Sequence, residues 1–390
     1  MKTLTVMTLL TLTASVVSAT VARGEAPCSA HNCDVTKFAG TSIDQKIENA
    51  IAAASKLPHR TVYFPAGIYN LRKSISLNSA VVNLRLIGHS SQTSILSSAP
   101  IVDNGCLGSV INIDRSSGFD IMRLEIDRLG IEMKNTRDTS QFRDGGCSSS
   151  GHGIRVGNGW RDGFLKIENT RIMNAPGYGI GVQNGGSTDI SANNLWLRSV
   201  EIYNSGMDAI DTKRPMGGNK NFDARDLIIS EIGFNDERSA AAIDISYDDV
   251  YLKGITIITA PRRENPRGMS ENTGIRFRTR ELSGVKNAIV RELYIKGTTN
   301  AVHFDGDEMT HAENVTVKHA IIKSFAGTGI FGRGKNLTFK VGCTSSSDPN
   351  SKSFHFPLAA QLPYIRNNMS DDLSDCSDLY EFVGSSKRAE

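Results

Sequence analysis

The chain has 390 residues, 39% hydrophobic and 22% charged, which is the profile of a cored, soluble protein. Lys and Arg number 44 against 41 Asp and Glu, a net charge of +3, and so even a balance argues against nucleic-acid binding. The 36 Gly and sparse aromatics suit many short strands joined by tight turns, and no run beyond the N-terminal apolar stretch approaches the length of a membrane span.

Residues 1–19 read as a signal peptide. Lys2 gives the positive start, Leu4 to Val17 an apolar stretch diluted by Thr, and Val17-Ser18-Ala19 a small-residue cleavage site; Ala26 offers a second cut. The expected location is therefore secreted, extracellular or periplasmic. Six cysteines follow: Cys28, Cys33, Cys106, Cys147, Cys343 and Cys376. An even count after a signal peptide suggests disulfides, and proximity favours Cys28–Cys33, Cys106–Cys147 and Cys343–Cys376 among the many possible pairings.

Residues 41–56 predict one amphipathic helix. Thr41 or Ser42 caps it, and Ile43, Ile47, Ala50, Ile51 and Ala54 share a face. A strand, a Pro65-Ala66-Gly67 turn and another strand follow. This helix with the segment Val-Tyr-Phe-Pro-Ala-Gly-Ile-Tyr at 62–69 resembles the start of the pectate-lyase superfamily. The match covers about residues 41–90 and is specific for fold, not for reaction. The resemblance implies an all-β chain, a single-stranded right-handed parallel β-helix with the helix capping its N-terminal end. Relatives sharing this opening include lyases, hydrolases, epimerases and phage tailspike proteins.

From residue 81 onward the sequence repeats. Strand-like pieces begin at Leu84, Val110, Leu165, Leu195, Leu227, Leu252 and Val315. In a second series, a Gly or small residue precedes an aliphatic: Ile154, Ile180, Ile210, Ile243, Ile275, Val302 and Ile330. The steps between these are 26, 30, 33, 32, 27 and 28 residues, as for solenoid coils with loops of varying length at the corners. The solenoid is expected over 20–343, with 344–390 a loose C-terminal cap or tail.

The second series sets a register. If each aliphatic points inward, the residues one and three later point outward and stack as ladders at about 4.8 Å per coil. One ladder then holds Arg155, Gly181, Asp211, Asp244, Arg276 and His303; the other holds Gly157, Lys213, Arg278 and Asp305. His152, Tyr178 and Asp208, two residues before their aliphatics, line one wall. Gly157 and Gly181 leave room for a sugar ring. The first series shows no comparable charge in register: Lys166, Glu168, Ser230, Lys253 and Thr316 look scattered.

This pattern predicts a groove on the outer face for a polysaccharide, most readily an anionic one, with no nucleic-acid or membrane partner and a monomeric chain. Asp211, Lys213, Asp244 and Arg276 are the candidate catalytic residues. His152, Arg155, Tyr178, Asp208, Arg278, His303 and Asp305 are the candidate substrate contacts. Lys213 and Arg276, or a calcium ion held by Asp211 and Asp244, would offset the repulsion between the stacked acids.

The first reading is a polysaccharide lyase. A cation neutralises the uronate carboxylate and a base removes the C5 proton; Lys213 is that base, or Arg276, as the resemblance to pectate lyases implies. The runner-up is glycoside hydrolysis by Asp211 with Asp244 or Asp208, where one-coil spacing gives a gap of about 5 Å, nearer the retaining range. A uronate C5-epimerase and a non-catalytic polysaccharide-binding surface protein are the further alternatives. No family's catalytic motifs carry over whole. Gly151-His152-Gly153 and Asp248-Asp249 stand in the wrong order for pectin hydrolases, Arg276-Phe277-Arg278 mimics only their last motif, and the Asp-Pro-His of alginate epimerases is missing.

Overall fold

The computed structural model describes residues 26–77, 83–98, 101–103, 106–113, 123–134, 151–157, 163–182, 194–212, 219–234, 239–259, 271–278, 284–306, 311–346, 352–355 and 366–367. The expected signal peptide, Lys213, Gly157's neighbours from 158 to 162, Cys147 and Cys376 lie outside these residues. The Cys28–Cys33 disulfide forms as expected.

The helix runs Ile43–Ala54. Ser42 is its cap, accepting from the Gln45 N–H, while Gln45 Oε1 accepts in return from both the N–H and hydroxyl of Thr41. Ile47, Ala50, Ile51 and Ala54 are buried, and Ile43 is only partly covered. The helix packs on the strands Thr61–Phe64, Gly67–Leu71 and Ile75–Leu77, which form the first coil, and so covers its open end.

Each coil presents three faces, where the sequence suggested two series, and among the described residues every stacked pair between coils is parallel; in the later coils one bent strand, such as Asn219–Ile232, runs along both the first and second faces. The first face stacks Val62, Leu86, Ile126, Ile167, Leu197, Ala224, Leu252, Val290, Val317 and Phe339. The second stacks Tyr69, Leu96, Ile131, Ile172, Ile202, Ile229, Ile257, Ile295 and Ile322. The third stacks Ile75, Ile111, Ile154, Ile180, Ile210, Ile243, Ile275, Val302 and Ile330. These columns meet in one continuous buried core. Each fully buried aliphatic contributes about 1.5–3 kcal/mol.

Two expectations change. Val110–Ile113 belongs to the third face, and Leu227–Ile229 to the second. For Leu227–Ile229 the cause is the corner between first and second faces. One residue there, such as Asp226, Glu292 or His319, takes positive φ and turns the chain, shifting the inward alternation by one position. Parallel pairing also continues beyond residue 343: Thr338–Ser346 stacks on Ala312–Phe325, and Lys352–His355 on Thr328–Gly332.

The corner ahead of the first face is a column of Asn and Asp at positive φ, including Asn194, Asn221, Asp249, Asn287, Asn314 and Asn336. Their short polar side chains tolerate that backbone and bond to one another between coils. Asn221 Nδ2 donates to Asn194 Oδ1 at 2.9 Å, Asn314 to Asn287 at 3.2 Å and Asn336 to Asn314 at 2.9 Å.

The Gly before the third-face aliphatics has a steric reason. A Cβ on Gly179 would stand 2.7 Å from the carbonyl oxygen of Ala209 on the next coil, and one on Gly274 would stand 2.5 Å from that of Ala301. This crowding made the series visible in sequence.

Candidate active site on the third face

One residue past the inward aliphatics, the third face carries Ser76, Asn112, Arg155, Gly181, Asp211, Asp244, Arg276, His303 and Phe331 on successive coils. From Arg155 to Phe331 this is the register read from the sequence. What differs is burial. Asp211 is 1% exposed, Asp244 0% and Arg276 7%, where a solvated ladder was expected. Acids and guanidiniums tolerate burial because they pair with one another.

Asp244 is the hub. Arg276 Nη1 stands 3.5 Å from its carboxylate, and Arg278 Nη2 bonds the same oxygen. Arg278 lies two residues beyond Arg276, just past the strand Glu271–Phe277 on the coil after Asp244; Lys213, expected to offset the acids, lies outside the described residues. Beneath the pair, Thr212 Oγ1 donates to the Asp244 carbonyl at 2.9 Å and accepts the Ser246 N–H at 2.8 Å, tying two coils together.

Asp208 lies at the corner two residues before Ile210, and its Oδ1 accepts the Ala241 N–H at 2.5 Å. One carboxylate oxygen from each of Asp208, Asp211 and Asp244 lies within 4.8 Å of the others. Burial, then the charges of Asp244 and Asp211, hold the Asp208 carboxyl well above the usual carboxylate range, outweighing the Ala241 N–H and Arg276. For Arg278, burial acts against the charge, but Asp244, Asp211 and Asp208 together raise its pKa.

Tyr178 and His152 sit beside these acids. The Tyr178 hydroxyl donates to Asp211, and burial followed by the charges of Asp211 and Asp208 raises its pKa. Its ring stacks on His152 at 4.8 Å and 24°, and its N–H donates to His152 Nδ1 at 2.9 Å. That acceptor role leaves the proton of the neutral ring on Nε2. His152 is fully buried, so it supports Tyr178 from below and does not face a groove. The room left by Gly181 is likewise occupied: a Cβ there would meet Tyr178 Cδ2 at 3.0 Å. Tyr178 leans over the glycine, where a sugar ring was expected.

Arg155 is half-buried, and its Nη1 donates to Asn112 Oδ1 at 3.1 Å. His303 stacks flat on Phe331, with ring centroids 4.1 Å apart and planes at 9°. Burial lowers its pKa from 6.5 to about 4; the Asp305 charge opposes this, while Arg276 and Arg278 add to it. His303 is therefore neutral near pH 7. Between about 6.5 and about 4 the unfolded chain binds the extra proton, so this contribution to stability is fully present above 6.5 and lost as pH falls through about 4. In thermal melts across that window, His303→Phe, which keeps a flat ring on Phe331, is expected to lose less stability on acidification than the parent. Parallel curves would refute this.

No protein-family model matches the sequence, and no curated protein matches it. Solved structures match in fold. The enzymatically active domain of tailspike protein 2 from bacteriophage CBA120 aligns with TM-score 0.55 and 10% identity, over 85% of this chain and 46% of that one. The surface adhesin PfbA of Streptococcus pneumoniae aligns with TM-score 0.50 and 13% identity, over 83% of this chain and 89% of that one. The A-module of the Azotobacter vinelandii mannuronan C-5 epimerase AlgE6 gives TM-score 0.48 and 13% identity, over 83% and 96%. The chain is a right-handed parallel β-helix. It spans less than half the length of the tailspike structures it matches. An enzyme domain and an adhesin share this β-helix, so the fold by itself selects no chemistry.

Proposed function

We propose that the chain is a secreted carbohydrate-active enzyme that hydrolyses glycosidic bonds at Asp208, Asp211 and Asp244. The observation that carries this reading is three buried carboxylates within 4.8 Å, one of them with its pKa raised by burial and by the charges of the other two. Acid–base hydrolysis of a glycoside needs such a pair of differently tuned carboxyls.

Asp208 donates its proton to the glycosidic oxygen as the bond to C1 breaks. Asp211, oriented by the Tyr178 hydroxyl, forms the bond to C1 from the other side. Asp208 then removes a proton from water as that water displaces Asp211. The short gap favours this two-step, configuration-retaining course, since inverting pairs stand roughly 6.5–9.5 Å apart to hold a water. Asp244 with Arg276 and Arg278 fixes the electrostatic setting, and Arg278 is the part that yields on substrate entry, its side chain being 17% exposed.

Calcium fits this cluster poorly. It seeks about 6–8 oxygen ligands, and the two guanidiniums on Asp244 repel a further cation. Cleavage is expected to survive EDTA.

Elimination from a uronate polymer is the second reading, favoured by Arg276 and Arg278 beside the acids. Hydrolysis is preferred because both guanidiniums are directed at Asp244. Secretion rests on residues 1–19 and agrees with the Cys28–Cys33 disulfide. A panel of neutral and acidic polysaccharides, each with and without EDTA, tests the proposal. Hydrolysis releases reducing ends without an ultraviolet-absorbing unsaturated product. Appearance of that product would establish elimination, and binding without shortening would establish an adhesin-like role.

A further inference from the structure

The first face carries a ladder that the scattered charges of the sequence concealed. Register places Arg198, Arg225, Lys253, Arg291 and Lys318 on five successive coils, and Lys340 at the next position. Each of the five lies one residue past an inward column member: Leu197, Ala224, Leu252, Val290 and Val317. Arg225 and Arg291 are exposed, and Arg198, Lys253 and Lys318 half-exposed. At about 4.8 Å per coil the five cations span about 20 Å along the helix axis.

Like charges stacked directly on neighbouring strands destabilise a sheet. Acids relieve only the first part of the row. Asp223 pairs with Arg198 at 2.8 Å and Arg225 at 3.1 Å, and Glu292 stands 3.5 Å from Lys253. Among the described residues no acid lies within ion-pair distance of Arg291 or Lys318. Two positions earlier on the same strands runs a second column holding Trp196, Tyr251 and Ile289. Trp196 is 38% exposed and Ile289 39%, so apolar faces stand beside the cations.

We propose that this ladder is a second carbohydrate site, separate from the carboxylate cluster, that holds an extended acidic polysaccharide along the helix axis. The cations meet one carboxylate or sulfate per sugar, and the neighbouring rings and Ile289 pack against the apolar faces of the pyranoses. A regular row of single charges matches a linear polymer that presents its anions at an even repeat. The site keeps a long polymer on the protein while the third face acts on it, and does not depend on which reaction occurs there.

The test compares the parent chain with Arg291→Glu/Lys318→Glu, using a size-fractionated polygalacturonate as probe, with dextran and poly(dT) as controls. The parent is expected to bind the polyuronate with an affinity that falls steeply with salt, and not to bind dextran. The double variant is expected to bind about tenfold or more weakly, with a shallower salt dependence. Its cleavage of short oligosaccharides should be unchanged. Equal binding by parent and variant would overturn the proposal. So would poly(dT) binding tighter than the polyuronate and lost in the same variant, which would make the ladder a nucleic-acid site. Melting curves establish that the variant is folded. Should the reversal not fold, Arg291→Gln/Lys318→Gln carries the same comparison with a smaller expected loss.

Discussion

Replacing Asp208 by Asn is expected to lower turnover about 10²–10⁴-fold, the usual contribution of a general acid. Asn keeps the oxygen that accepts the Ala241 N–H, so the corner should hold. Stability should move the other way. The raised pKa means the folded chain binds a proton that the unfolded chain releases above 3.8. The associated stability is fully present below that value and lost as pH rises through the folded pKa. Near neutral pH, Asp208→Asn should therefore be as stable as the parent or more so, with the advantage vanishing in acid. Activity and melting temperature measured across pH on the two chains check both halves. Full activity in the variant would remove Asp208 from the acid role. A marked loss of stability at neutral pH would remove the repulsion between Asp208 and its neighbours.

The second large effect is on folding. Arg278→Met removes one of the two guanidiniums that pair with Asp244 among the described residues, and Asp244 has no exposed surface. Breaking one side of a buried ion pair costs about 3–5 kcal/mol, and the remaining guanidinium should keep the loss near the lower end. Adding Asp244→Asn to the same chain should recover most of it, because the uncompensated charge is gone. Denaturant unfolding of the parent, the two single variants and the double variant measures the coupling. A midpoint unchanged by Arg278→Met, or a double variant no better than the single, would show that the pair contributes little.

Much of the third face was legible in the sequence because its constraint is steric. Gly179 and Gly274 have no room for a Cβ against the next coil, and a small residue marks the position before each inward aliphatic from Ile154 to Ile330. Once Ile210 and Ile243 are aligned, Asp211 and Asp244 must stack. The other two faces were harder to read. Between Ala224 and Leu227 the chain turns on Asp226 at positive φ, so the inward positions are three apart instead of two. Read as one alternating strand, Leu227 falls into the column that Ala224 occupies, and Arg225, Lys253 and Arg291 no longer line up. The basic ladder was hidden by that single-residue corner.

Burial was not legible either. A charged residue pointing away from a strand's core side is expected in water, and only tertiary pairing shows Asp211, Asp244 and Arg276 shielded from it. The same holds for Tyr178. A tyrosine between two glycines reads as a turn or a sugar platform, while its bond to Asp211 depends on the coil above and on the space over Gly181.

Cleavage in water enriched in oxygen-18 tests the central claim most directly. The polysaccharide that the chain shortens would be digested briefly and the new reducing ends analysed by mass spectrometry. Hydrolysis at the Asp208–Asp211–Asp244 cluster places solvent oxygen on C1 of every new reducing end, and Asp208→Asn lowers the labelled product in step with its turnover. New ends that carry no label, with unsaturation on the other fragment, would contradict the account and leave elimination in its place.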